Sequence, residues 1–259
     1  MEVSLANPSA ILMIVGLNHR SAPVELREQL AFGNGALDGA LRRLVDAAIV
    51  RLLFGAAAGG AALDAEASGW GILNRFDWPV WLEFALAFLA LDFIVWLQHL
   101  LMHKIPVLWR LHRVHHADRD VDVTTGIRFH PVEIALSMCL KIGVVYALGA
   151  PLLAVIVFEI VLNGMAMFNH GNVRMPAAVE RALRILVVTP DMHRIHHSVE
   201  RTEHDANYGF NLSLWDRLFG TYVPNPAKGH ERMNIGLSQY QDERPTRLGW
   251  SLAFPFFRQ

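Results

Sequence analysis

Three stretches of the chain are apolar without any helical or strand period. PVWLEFALAFLALDFIVWLQ at 79–98, VEIALSMCLKIGVVYALG at 132–149 and PLLAVIVFEIVLNGMAMF at 151–168 hold only isolated charges. A surface helix keeps its apolar residues on one face, whereas a helix that is apolar all round and about 20 residues long matches the hydrocarbon core of a bilayer. A fourth stretch, AAIVRLLFGAAAGGAALDA at 47–65, is weaker: it carries Arg51 near one end and many small residues, and reads as either interfacial or spanning. The pattern predicts an all-α integral membrane protein with about four transmembrane helices.

The second and third of the strong stretches are separated by Gly149-Ala150-Pro151, a break with no charged residue, which predicts a tight turn and an antiparallel helical hairpin. A hairpin of two spans returns the chain to the side it left. Segments before 132 and after 168 therefore share one face. Lys104, Arg110, Arg113, Arg119 and Arg128 lie in 99–131, with many more basic residues after 169, against Arg75 alone in the loop 66–78 on the opposite side. The lysine and arginine bias places the shared face in the cytoplasm. The polar, aromatic segment from 205 onward reads as a cytoplasmic cap rather than a further span. ILMIVGL at 11–17 is short and lacks a basic flank, so no cleavable leader is expected. Division of the chain follows: an appendage at 1–35, a membrane domain at 36–240 and a C-terminal tail at 241–259.

Composition adds a hydrophobic content of 53% and a net charge of −1, which gives no reason to expect nucleic acid as a partner. Cys139 is the one cysteine, so neither a disulfide framework nor a thiolate metal site can be built within the chain. The thirteen histidines change the picture most, because eight of them fall into three boxes on the shared face. HLLMH holds His99 and His103; HRVHH holds His112, His115 and His116; HRIHH, 81 positions further on (193 − 112), holds His193, His196 and His197. Residues three and four apart share a helix face, so each box aims its imidazoles at one region, while Arg113 and Arg194 fall off that face. Eight imidazoles exceed what a single four-coordinate zinc uses and fit two metal ions of the kind imidazole binds well: iron, zinc or copper.

His170 in FNHGN, just after the last strong stretch, is a ninth candidate ligand. His130 in RFHPVE either caps the following helix or supports the site, and Asp92, seven residues before the first box, is a carboxylate inside a span that could orient a ligand imidazole. His19, His204 and His230 have no partner at ligand spacing. HExxH, GxSxG and GxGxxG are all absent, and no protein nucleophile is required, so no catalytic residue is expected beyond the metal ligands.

Taken in order, HLLMH, LWRLHRVHH, TTGIRFHPVE, FNHGN, TPDMHRIHHS and NYGFNLSLWDRLFGTY resemble the fatty acid hydroxylase superfamily, in its sterol desaturase branch, from about residue 70 to about 237. That resemblance implies a membrane-embedded dinuclear iron centre using O2 to hydroxylate or desaturate a lipid, fatty acyl or sterol-like substrate. It assigns the HxxxH box to His99 and His103, the first HxxHH to His112, His115 and His116, and the last to His193, His196 and His197. With no haem or iron–sulfur segment in the chain, electrons would come from a separate donor protein. Two other classes use the same residues: a zinc-dependent membrane hydrolase or isomerase working without O2, and a non-enzymatic metal transporter. IVGLNHRSAPVELREQLAF at 14–32 resembles the start of glutamyl-tRNA reductase, but that enzyme's nucleophilic cysteine has no counterpart downstream, so its activity is not expected here.

Overall fold

The computed structural model describes residue 53 and residues 55–257; the segment 1–35 and the beginning of the 47–65 stretch lie outside the described residues. Among the described residues the structure is all-helical, without a β-strand. Three of its helices are long and apolar enough to cross a membrane: α1 (Val80–Lys104), α3 (Pro131–Leu148) and α4 (Leu152–Asn169). They coincide with the three strong apolar stretches. The described part of the fourth stretch is helical at 55–67 and buries Ala58, Ala61, Ala62 and Ala65, a small-residue face that lets it lie close against the bundle.

Local chemistry sets where each helix begins and ends. Ile105 precedes a proline and is extended (φ −98°, ψ 115°), so α1 stops at Lys104 and a new helix, α2 (Pro106–His116), starts with Pro106 in its first turn. The break puts HLLMH on the last turns of α1 and HRVHH at the end of α2. His130 caps α3, its Nδ1 accepting from the Val132 N–H at 3.3 Å. At the other end Gly149 takes the left-handed conformation (φ 67°), and a Cβ there would stand 2.5 Å from both the Trp70 carbonyl oxygen and Asn74 Nδ2. The expected turn and antiparallel hairpin are both present.

The membrane core joins Leu91, Val95, Val145, Val155 and Phe158 with the alanine face of 55–67, and Phe88 meets Phe158 edge to face at 5.5 Å. Val80, Trp81, Leu153 and Ile160 point outward, as expected where lipid rather than protein covers a helix. Beyond α4 the chain forms short helices: α5 (Ala177–Leu183), α6 (Pro190–His196), α7 (Arg201–His204), α8 (Leu214–Leu218) and α9 (Leu248–Ala253). The described part of 241–259 packs on α2, where Arg113 donates to the Phe254 carbonyl at 2.6 Å and its guanidinium covers the Phe254 ring at 4.1 Å. Arg194 pairs with Asp191 at 2.5 Å. Both arginines of the repeated pentapeptides thus serve the scaffold.

Candidate metal centre

All nine histidines singled out from the sequence are buried and fall into two adjoining clusters, one of His99, His103, His112, His116 and His196, the other of His115, His170, His193 and His197. Helix geometry explains the division. Residues four apart, His112 with His116 and His193 with His197, share a cluster, while the residue at the third position, His115 or His196, crosses to the other. The two pentapeptides are therefore reciprocal: the first gives two rings to one cluster and one to its neighbour, and the second does the reverse. His116 and His197 stack at 4.6 Å where the clusters meet.

The hydrogen bonds fix which ring nitrogen faces inward. His99 Nδ1–H donates to the Tyr208 carbonyl, His196 Nδ1–H to Ala206 and His170 Nδ1–H to Ala166, each at 2.7 Å, and His112 Nδ1–H donates to Glu133 Oε1 at 2.6 Å. A neutral ring that donates through Nδ1 has a bare lone pair on Nε2. Yet His99 Nε2 and His112 Nε2 face each other at 3.0 Å, and His170 Nε2 lies 3.2, 3.0 and 3.2 Å from the Nε2 atoms of His115, His193 and His197. Nitrogen ligands about 2.0–2.1 Å from a shared ion stand roughly 3.0–3.4 Å apart, so a cation fits each convergence where lone pairs alone would repel. Among the described residues, His103 and His116 have no hydrogen-bond partner on either ring nitrogen, nor does His196 Nε2. Burial also holds the rings neutral: His112 is lowered to about 3, and His115, His116, His193, His196 and His197 are all shifted well down by loss of solvent. Neutral imidazole is the ligating form.

Several supports were not evident in the sequence. Glu133, in the first turn of α3, bonds His112. Asn207 holds the left-handed conformation (φ 54°), its amide donating to the Met192 and Val223 carbonyls at 3.1 and 2.9 Å. That turn presents the flanking Ala206 and Tyr208 carbonyls to His196 and His99. Behind it, the buried Asp216 carboxylate accepts from Tyr208 N–H (2.9 Å), Gly209 N–H (2.8 Å), Trp96 Nε1–H (3.1 Å) and the Thr221 hydroxyl (2.6 Å). Gly126 of TTGIRF lies so close to α4 that a Cβ would approach the Ala166 carbonyl oxygen to 2.8 Å and His170 Nδ1 to 3.2 Å.

Two sequence expectations need correction. Asp92 is buried, but its carboxylate accepts from Trp215 Nε1–H at 2.8 Å rather than from a ligand imidazole, because its place on α1 faces α8. His204, set aside for want of a neighbour at ligand spacing, sits with His103 and Asp205 in a third, half-buried group, and burial lowers it to about 4. His130 caps α3 and reaches the Leu252 carbonyl at 3.3 Å, which makes it a scaffold residue at the base of the Glu133 turn.

A cavity of about 310 Å³ opens against His99 and His112 and runs between α1, α3 and α4. The Glu133→Gln variant, which keeps the shape and puts an amide in place of the carboxyl behind His112, is expected to lower metal affinity or turnover about 10–100-fold, as is usual when a group orienting a ligand imidazole is altered. Metal analysis after dialysis, together with activity, checks this.

A helical membrane bundle carrying two joined polyhistidine clusters at the ends of its spans defines an integral-membrane protein with a metal-capable centre. The family described as fatty acid hydroxylase matches residues 84–221, and the chain belongs to that family. Over 153 residues it is 33% identical to the ornithine lipid hydroxylase OlsE of Rhizobium tropici, covering 58% of this chain and 45% of that one. It is 27% identical over 156 residues to alkylglycerol monooxygenase of Xenopus tropicalis, covering 58% and 32%, and 28% identical over 148 residues to a cholesterol 25-hydroxylase-like protein of Danio rerio, covering 55% of each. The chain thus spans about a third to a half of these relatives' lengths. No solved structure matches it.

Proposed function

We propose that the protein is an O2-dependent di-iron oxygenase that hydroxylates a lipid within the membrane. The observation that carries this reading is the convergence of bare imidazole nitrogens in two adjoining buried clusters beside a membrane cavity. His99, His103, His112, His116 and His196 would hold one iron, and His115, His170, His193 and His197 the other. When bound, the pair supplies the redox chemistry that O2 activation at an unactivated C–H bond requires, which zinc lacks. The chain's own contribution is placement: the Tyr208, Ala206 and Ala166 carbonyls and Glu133 orient the rings, and the cavity brings an apolar chain to His99 and His112 while excluding water. The relatives named for hydroxylation and monooxygenation favour hydroxylation over desaturation. Electrons would come from a separate protein docking on the histidine face, and the basic residues of 99–131 support a cytoplasmic orientation for that face.

Lipid mass spectrometry of cells with and without the chain tests the reading: products should gain one oxygen, the purified protein should carry two irons, and zinc replacement should abolish turnover. Removal of residues 1–35, proposed here as an appendage outside the working domain, should leave product and metal content unchanged. Activity that persists anaerobically with zinc would overturn the oxygenase reading in favour of a zinc hydrolase or isomerase.

A further inference from the structure

Lys141 of α3 and Glu159 of α4 form a buried ion pair, Nζ to Oε1 at 2.5 Å, between two membrane-spanning helices. Lys141 lies ten residues beyond Pro131, about 15 Å along the helix and so near the middle of a roughly 30 Å hydrocarbon core. Charged groups at that depth are costly and commonly mark a substrate or ion path, whereas two well-packed apolar residues hold helices together as well or better. This pair is not sealed between the helices. Both side chains line the cavity that reaches His99 and His112, along with Ser137 and Asn163. Glu133, Ser137 and Lys141 follow at four-residue spacing, so α3 presents a polar stripe to the cavity from the histidines to its far end.

The chemistry of that far end is specific. Glu159 Oε1 takes one of the three ammonium protons, and Asn163 donates to the Glu159 backbone carbonyl at 2.7 Å. The pair is neutral as a whole, so a hydroxyl or amide can add hydrogen bonds without adding charge. A carboxylate or ammonium there would leave an uncompensated charge in a medium that solvates it poorly. Eight residues of α3 separate Glu133 from Lys141, about 12 Å at roughly 1.5 Å per residue. An extended chain advances about 1.2 Å per bond, so roughly ten bonds bridge the two ends. Resting on the oxygenase reading above, we propose that Lys141 and Glu159 are a specificity site for a neutral hydrogen-bonding group, a hydroxyl or amide, carried on the substrate chain about ten bonds from the carbon that meets the histidines.

Anaerobic equilibrium binding to the iron-loaded full chain in micelles tests this without turnover. The probes are methyl stearate, methyl 12-hydroxystearate and methyl 6-hydroxystearate. Each hydroxy ester has a carbon ten bonds from its hydroxyl carbon, C2 in the 12-hydroxy and C16 in the 6-hydroxy compound, so both should bind about tenfold more tightly than methyl stearate, the effect of one well-made hydrogen bond. In the double variant Lys141→Met, Glu159→Leu the preference should vanish while iron content stays at two per chain. Hydroxylated esters that bind the unaltered protein no more tightly than methyl stearate, or a preference undiminished in the double variant, would overturn the proposal. Should the double variant fail to fold, the comparison of the hydroxylated esters with methyl stearate on the unaltered chain still decides. A chain that oxygenates lipids without this preference sinks the specificity site alone, and one that shows the preference but never adds oxygen sinks the oxygenase reading instead.

Discussion

Replacing His170 by alanine is expected to remove one of two metal ions per chain and to lower lipid oxidation by about 100-fold or more, beyond the usual effect of losing a residue that merely orients a ligand. His170 is the hub of its cluster: its Nε2 lies within 3.0–3.2 Å of three other Nε2 atoms, and the Ala166 carbonyl fixes its tautomer. No neighbouring imidazole can swing into its place, because His115 and His193 are themselves fully buried. His196→Ala should empty the other cluster in the same way. His204→Ala serves as the comparison, since His204 stands at the edge with Asp205 and outside both convergences; it should retain both ions and most activity. Iron analysis beside turnover reads all three, and a His170→Ala protein with two irons and full activity would refute the assignment.

The second large effect is expected at a residue with no place among the ligands. Asp216→Ala should destabilise the protein by about 3 kcal/mol or more, because it leaves two backbone N–H groups, an indole N–H and a hydroxyl without their shared acceptor in a buried site. The lost carboxylate also frees the Tyr208 backbone, whose carbonyl orients His99, so metal should be released more readily. Asp216→Asn keeps one acceptor oxygen but turns an NH2 group toward a donor, and should fall between the two. Thermal unfolding in detergent, followed with and without added iron, checks the order. An Asp216→Ala protein as stable as the parent would show that the hub is dispensable.

How much of this was legible in the chain follows from the range of each signal. The spans are written in runs of about 20 apolar residues, and the hairpin in one Gly-Ala-Pro break, so both were readable locally. The histidines were readable for the same reason: helical spacing of three and four places their rings before any tertiary contact is known. Their division between two clusters was not, because it depends on how α2 and α6 face each other across the hairpin. Glu133 and Asp216 were hidden because a carboxylate does not announce its partner. The nearest carboxylate to the first box along the sequence, Asp92, went to an indole 123 residues away, while His112 took a glutamate from the next span. The left-handed Asn207 turn works through main-chain carbonyls, which leave almost no trace in side-chain pattern.

The reciprocal sharing of the pentapeptides has a consequence for biosynthesis. Neither cluster can be completed by the first 192 residues, since each needs at least one ring from His193, His196 or His197. During synthesis the early histidines leave the ribosome and wait while a whole hairpin enters the bilayer. Completion of both clusters thereby waits on the residues past 192: a chain truncated before them can insert into the membrane, but it cannot assemble either set of imidazoles there.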